Sequence, residues 1–95
     1  MARIVWTIAA VKDLDDIGAY IAKSSPQSAY HVSIELYEAP ERLERFPQSG
    51  EQLVGYSQEV RQILKHGYRI VYQIRGDTCW IVALIHGSRD IDDAL

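Results

Sequence analysis

The residues best suited to do chemistry lie in the last third of the chain, and most of them are cationic. They are Arg61, Arg69, Tyr72, His86 and Arg89. Arginine binds phosphate and carboxylate groups through paired hydrogen bonds, and histidine exchanges a proton near neutral pH. Two interpretations follow from these residue types. One is a cationic binding patch on a sheet; the other is ordinary surface arginines with Arg69 hydrogen-bonded to the acidic C-terminus.

Motifs for other kinds of site are missing. His31, His66 and His86 are far apart, and no cysteine pair accompanies them, so we expect no metal site. The sequence has neither a Gly-rich phosphate loop nor a nucleophile elbow, so we expect no cofactor. Cys79 lies in an apolar run and is predicted to be an inert core thiol.

Two further sets of residues are interpreted as structural. Asp13, Asp15 and Asp16 are expected on the solvated face of a helix. Trp6 and Trp80 are expected in the core, not as platforms on which nucleic-acid bases stack.

Length and composition indicate one globular domain over residues 1–95. No apolar run approaches the ~18 residues of a membrane span. The N-terminus does not resemble a signal peptide. A lone cysteine forms no intrachain disulfide, so we expect a cytoplasmic protein.

Charge is distributed unevenly along the chain. Residues 1–58 carry a net charge of −3, residues 59–89 carry +3, and residues 90–95 carry −3. The basic segment suits an acidic partner. The whole chain is too acidic to grip nucleic acid mainly by neutralising phosphates, so contact with nucleic acid is expected only through a target or partner.

The residues between 59 and 89 are predicted to form three strands joined by tight turns. The predicted strands are Val60–Leu64, Tyr68–Ile74 and Cys79–Ile85, and the turns fall at residues 66–67 and 76–77. In the second strand, apolar and polar side chains alternate. The third is apolar on both faces, with Ile81, Ala83 and Ile85 on one and Trp80, Val82 and Leu84 on the other. Such a strand is expected inside a sheet.

The first half of the chain predicts a strand and two helices. Arg3–Thr7 is the strand, with Thr7 as the cap of a helix from Ala9 to Lys23. Ser25 and Pro26 are suited to begin a second helix, which the apolar spacing extends to Phe46 with a kink at Pro40.

Residues 51–58 are predicted to be a loop. The expected core between helices and sheet contains Leu14, Ile17, Leu36 and Leu43. The resulting fold class is α+β, in the order β-α-α-β-β-β, with a helical hairpin packed on a small, mainly antiparallel sheet.

Four segments together resemble the RelE/ParE toxin superfamily of bacterial toxin–antitoxin modules. They read WTIAAVKDLDDIGAYIAKSSPQSA, RLERFPQSG, VRQILKHGYRIVYQI and IVALIHGSRD. The resemblance covers nearly the whole chain in order. It implies the same β-α-α-β-β-β fold and a cognate antitoxin that wraps the toxin. Members of the ParE branch are implied to poison DNA gyrase, and those of the RelE branch to cleave messenger RNA on the ribosome.

Residue by residue, the resemblance favours the ParE branch. RelE-type nucleases carry lysines at positions that match Val60 and Gln62, arginines matching Arg69 and Arg89, and a tyrosine matching roughly Leu95. This chain keeps only the two arginines. RNA cleavage also needs a proton acceptor and a proton donor.

The expected function is therefore a ParE-like toxin that inhibits gyrase stoichiometrically, without chemistry of its own. A RelE-like endoribonuclease that uses His86, or a member that binds antitoxin without toxicity, is the alternative. The antitoxin is expected to lay a helix along the helical hairpin and an acidic, extended end across Arg61 and Arg69.

Overall fold

The structure, a computed structural model, describes residues 1–93 and consists of a five-stranded sheet with two helices on one face. The strands are β1 (Arg3–Trp6), β2 (Glu51–Leu53), β3 (Glu59–Lys65), β4 (Tyr68–Arg75) and β5 (Thr78–His86). The helices are α1 (Ile8–Ala22) and α2 (Pro26–Glu38), and 3₁₀ helices span Ala39–Glu44 and Ile91–Asp93. The sheet order is β1-β5-β4-β3-β2, with β1 parallel to β5 and the other pairs antiparallel. The predicted fold class is confirmed.

Both helices begin where their capping residues predict. The Thr7 hydroxyl accepts a hydrogen bond from the Ala10 backbone N–H at 3.1 Å, and the Ser25 hydroxyl accepts one from Ser28 at 3.1 Å. These bonds satisfy donors that a helix N-terminus otherwise leaves free. The helices pack closely, since a Cβ added at Gly18 would lie 2.9 Å from the Ser33 hydroxyl.

Two hydrophobic clusters lie on opposite faces of the sheet. The cluster under the helices includes Ile17, Leu36 and Leu43, with Leu14 packed at its edge, as predicted. The second cluster contains Val60, Val71, Ala83 and Ile85. Leu53 packs against it from the end of β2, Tyr56 from the loop after β2, and Ile91 from the C-terminal 3₁₀ helix.

The second helix ends earlier than predicted. The α-helical hydrogen bonding stops at Glu38, and the chain continues as a 3₁₀ helix instead of a kinked α-helix. Pro40 has no N–H to donate to the carbonyl of Leu36, which ends the α-helical ladder. Leu43 is nevertheless buried. Phe46, which the periodicity places on the buried stripe, is 64% exposed.

A β-bulge overturns the predicted faces of β5. Val71 pairs with Ala83 but its neighbour Tyr72 pairs with Ile81, so β5 contains one extra residue. Ile81 therefore faces the helices, as Cys79 and Leu84 do, while Ala83 and Ile85 belong to the other cluster. β5 is an internal strand, as predicted.

Two other predictions are wrong in instructive ways. Residues Glu51–Leu53, expected in a loop, pair with β3 and extend the sheet. Asp13, expected in solvent, accepts a hydrogen bond from the Leu84 backbone N–H at 3.1 Å. β1 pairs with β5 only as far as Ile81. The Asp13 carboxylate therefore satisfies a backbone N–H of β5 that lies beyond the residues paired with β1.

Candidate functional site

The five residues singled out from the sequence do not form one patch. Arg61 and Tyr72 pair across β3 and β4, and Tyr72 belongs to the cluster under the helices. Arg69 lies on the opposite face of the sheet, near the start of β4. It pairs with Ile85 of β5, and its side chain bonds to Gly87, between His86 and Arg89. The expectation of a single cationic patch is therefore corrected to two separate arrangements.

Arg61 is engaged within the molecule. Its Nε atom donates to Glu59 Oε2 at 2.7 Å, and its Nη1 atom donates to the carbonyls of Gln48 at 3.1 Å and Gly50 at 2.8 Å. The side chain is only 15% exposed. Arg61 thus holds the loop that follows the first 3₁₀ helix.

Tyr72 holds the same loop from beneath. It is fully buried, and its hydroxyl donates to the Pro47 carbonyl at 2.7 Å and accepts from the Gly50 N–H at 3.0 Å. A Cβ added at Gly50 would lie 2.5 Å from this hydroxyl and 2.7 Å from the Gln62 carbonyl. Glycine is therefore required there by close approach. Tyr72 has no exposed surface, so it could affect binding only through the loop that it positions.

Ionisable groups in this buried region predict a loss of stability at alkaline pH. Burial raises the pKa of the Tyr72 phenol above its usual 10.0, although the Gly50 N–H and Arg61 oppose the shift. Burial, with a smaller effect of Glu59, raises the pKa of the Cys79 thiol above its usual 9.0. Both groups ionise more readily in the unfolded chain. The free energy of unfolding should therefore be retained below about pH 9 and fall as the pH rises further.

The Tyr72→Phe variant separates the tyrosine from the cysteine. It loses two hydrogen bonds and should be less stable at neutral pH by about 1–3 kcal/mol. Its stability should also fall less steeply above pH 10.0, the usual pKa of the lost phenol. Urea unfolding between neutral and alkaline pH measures both effects, and Tyr30→Phe, at an exposed position, is the matched control. Equal slopes for Tyr72→Phe and the unmodified chain would contradict this role.

Arg69 lines a shallow groove on the face of the sheet away from the helices. The groove has a volume of about 410 Å³ and is lined by Gln62, Leu64, Lys65, His66, Gly67, Arg69 and Gly87. Arg69 Nη2 donates to the Gly87 carbonyl at 3.0 Å and forms no hydrogen bond to Asp90 or Asp92, the C-terminal acids whose side chains the structure describes. The Gly87 N–H donates to the Gly67 carbonyl at 2.8 Å. These bonds hold the β3–β4 turn against the turn that follows β5. They also orient the Arg69 guanidinium in the groove, where it can bind an anionic group.

His86 and Arg89 lie at the rim of this region. His86 Nδ1 accepts a hydrogen bond from the Ser88 N–H at 3.2 Å and lies 2.7 Å from the Ser88 hydroxyl. An Nδ1 that accepts leaves the ring proton on Nε2. The His86 ring meets Tyr68 edge-on at 5.6 Å. Arg89 is exposed, and its backbone N–H donates to the His86 carbonyl at 3.0 Å.

The sequence interpretation missed one contact of the groove, and it did not name the side chains of the hairpin surface on which it expected the antitoxin helix. His66, which lines the groove, lies 2.9 Å from Glu35 Oε2 and so connects the β3–β4 turn to α2. The outer side of the helical hairpin exposes large apolar side chains, namely Ile8, Val11, Tyr20, Tyr30, Ile34 and Tyr37. Apolar residues off the buried stripe of an amphipathic helix were the available signal. Exposed apolar side chains on a helical hairpin suit an amphipathic partner.

Comparison with known proteins assigns the family. Residues 4–91 match the family described as ParE toxin of type II toxin-antitoxin system, parDE. The chain belongs to the ParE toxin family. Toxin RelE2 of Caulobacter vibrioides is 30% identical over 89 residues, which cover 94% of this chain and 99% of that protein. The chain is therefore a toxin of the RelE/ParE superfamily, as the resemblance indicated.

Two other similarities concern half of the chain and its fold. Protein Y4kP of Sinorhizobium fredii is 44% identical over 48 residues, which span only half of this chain and half of that protein. A solved chain titled "Chromosomal ParDE TA system from P. aeruginosa" superposes with a TM-score of 0.75. It is 21% identical, covers 90% of this chain and 96% of its own length, and therefore supports the fold.

RelE-type nucleases carry lysines at the positions that match 60 and 62. In this ParE-family chain, neither position carries a positive charge. Val60 is buried in the second hydrophobic cluster. Gln62 is 8% exposed and its Nε2 donates to Glu51 Oε1 at 2.6 Å. The C-terminal position, Leu95, lies outside the described residues. Within residues 1–93 no cluster of three metal-ligating side chains occurs. No helix among them is long and apolar enough to cross a membrane.

Proposed function

We propose that this ParE-family toxin acts in the cytoplasm by binding DNA gyrase stoichiometrically, and that a cognate antitoxin neutralises it. The observation that carries the proposal is the environment of Val60 and Gln62. A nuclease that cleaves through the 2′-hydroxyl needs a proton acceptor, a proton donor and positive charge around the phosphate. At these positions the side chains are a buried valine and an amide bonded to Glu51. Neither is suited to transfer a proton or stabilise a phosphate.

One alternative has a specific observation in its favour. Lys65, His66 and Arg69 line the same groove, so a titratable imidazole and two cations are available there. The similarity to toxin RelE2 of Caulobacter vibrioides points in the same direction. The alternative is a ribosome-dependent endoribonuclease in which Arg69 binds phosphate and His66 or His86 exchanges protons.

Mapping message ends on translating ribosomes distinguishes these functions. We expect no new 5′ ends at codons in the ribosomal A site when the free protein is added, because positions 60 and 62 lack the lysines of the nuclease branch. His66→Ala and His86→Ala should then behave like the unmodified chain. Cleavage that disappears in either histidine variant would establish the nuclease and overturn the gyrase proposal.

The antitoxin is proposed to use two surfaces of this chain. An amphipathic helix covers the exposed apolar side of the helical hairpin, and an acidic segment lies in the groove beside Lys65 and Arg69. Arg61, expected from the sequence to share this role, is already bonded to Glu59 and two carbonyls. Apolar anchors supply most of the affinity, while the cations steer association.

Reversing the charges in the groove tests where the acidic segment binds. Lys65→Glu combined with Arg69→Glu should slow association at low salt by roughly tenfold and reduce its salt dependence. Arg3→Glu combined with Arg75→Glu makes the same charge change at two exposed arginines elsewhere and is the matched control. Stopped-flow binding at two salt concentrations measures the rates. If both pairs slow association equally, the effect comes from net charge and the groove is not the binding site.

A further inference from the structure

The loop of residues 46–50 combines an exposed aromatic side chain with a backbone that is held in place. Phe46 is 64% exposed. Its N–H donates to the Arg42 carbonyl at 3.0 Å, and its carbonyl accepts from the Ser49 N–H at 3.0 Å. Tyr72 and Arg61 add four hydrogen bonds to the backbone of Pro47, Gln48 and Gly50. The loop is therefore fixed by two side chains from the sheet.

This arrangement lowers the cost of binding through Phe46. Surface loops are usually mobile, and ordering them opposes association. Here the backbone on both sides of Phe46 is already hydrogen-bonded, so the ring is presented without further ordering of the chain. Aromatic side chains, phenylalanine included, are enriched at interfaces, and binding hot spots lie in well-packed, desolvated pockets.

Charged side chains of both signs precede Phe46, in and just after the 3₁₀ helix Ala39–Glu44, and Glu44 lines one depression together with Arg45. In a 3₁₀ helix, residues three apart lie on the same side. Arg42 and Arg45 form one row, and Arg45 lines a depression of about 390 Å³ with Phe46, Pro47, Gln48 and Ser49. Glu41 and Glu44 form the other row and line a different depression beside Trp6 and Tyr37. Both arginines are exposed. Phe46 is thus accompanied by positive charge.

We infer that this loop is the anchor by which the toxin grips its target protein. Phe46 enters an apolar pocket of the target, and carboxylates on the rim of that pocket pair with Arg42 and Arg45. The inference rests on the proposed function, in which the chain arrests a target by binding it. It also gives Arg61 and Tyr72 a role as positioning residues, since they hold the loop without touching the target.

Growth arrest and antitoxin binding, measured for the same variants, test the inference. Phe46→Ala removes the anchor, and Val54→Ala, at a position 90% exposed on the neighbouring loop, is the matched control. Each variant is induced in cells without antitoxin, and viable counts are compared at equal protein level. Thermal unfolding of each purified variant is expected to be unchanged, because both side chains are exposed.

We expect Phe46→Ala to require about tenfold more protein than the unmodified chain for the same arrest. Val54→Ala should match the unmodified chain, and both variants should bind antitoxin normally. Unchanged toxicity of Phe46→Ala would overturn the inference, and so would a parallel loss of antitoxin binding. Absence of arrest by the unmodified chain would instead refute the proposed function, and the anchor with it.

Discussion

Leu36→Ala should lower the free energy of unfolding by about 2–5 kcal/mol, the largest loss expected from a single truncation in the helical hairpin. Leu36 has no exposed surface and lies in the cluster between helices and sheet. Truncation removes its contacts with that cluster and leaves a cavity which close-packed neighbours fill only in part. Urea unfolding followed by circular dichroism measures the change.

Ile34→Ala provides the matched control for this prediction. Ile34 lies on the same helix but is partly exposed on its outer side. Its truncation should cost clearly less, since part of the side chain already contacts water. If the two variants were equally stable, the assignment of the buried face of α2 would be wrong. An effect confined to Leu36 would confirm how the hairpin is seated on the sheet.

Local signals in the sequence predicted most of the fold. Thr7 and Ser25 begin the helices because the hydroxyl of each accepts a hydrogen bond from a first-turn N–H that has no backbone acceptor. His66 and Gly67 adopt positive φ values of 53° and 79° and form the turn between β3 and β4. These features depend on a few neighbouring residues, so one sequence is sufficient to recognise them.

The errors arise where distant residues decide the structure. The bulge in β5 depends on how that strand pairs with β4, and no local pattern distinguishes it from regular alternation. Glu51–Leu53 is a strand because β3 offers it an edge. Asp13 is held by Leu84, 71 residues away along the chain. Residue type and local spacing carry no information on such contacts.

The same limit explains the outcome at the candidate site. The sequence identified Arg61 and Tyr72 as chemically capable residues. It could not show that both side chains are hydrogen-bonded to the backbone of residues 47–50. Arg69 differs from Arg61, because it lies on the opposite face of the sheet and lines an open groove. Assignment of the five residues to partner binding stays a prediction.

Complete loss of gyrase supercoiling at equivalence is the second large effect that we expect. A toxin that acts by occupancy reduces supercoiling in proportion to the amount added, and inhibition is complete once every gyrase site is filled. A toxin that acts as an enzyme works far below equivalence and leaves gyrase untouched. The shape of the titration therefore separates binding from catalysis without knowledge of the contact residues.

The central claim is tested most directly by titrating purified toxin into gyrase at a concentration well above the dissociation constant, with supercoiled and cleaved DNA measured together. We expect a linear fall in supercoiling that ends at equivalence, accumulation of cleaved DNA, and recovery on addition of the cognate antitoxin. Unchanged supercoiling at a large excess of toxin that is folded and still binds its antitoxin would contradict the account.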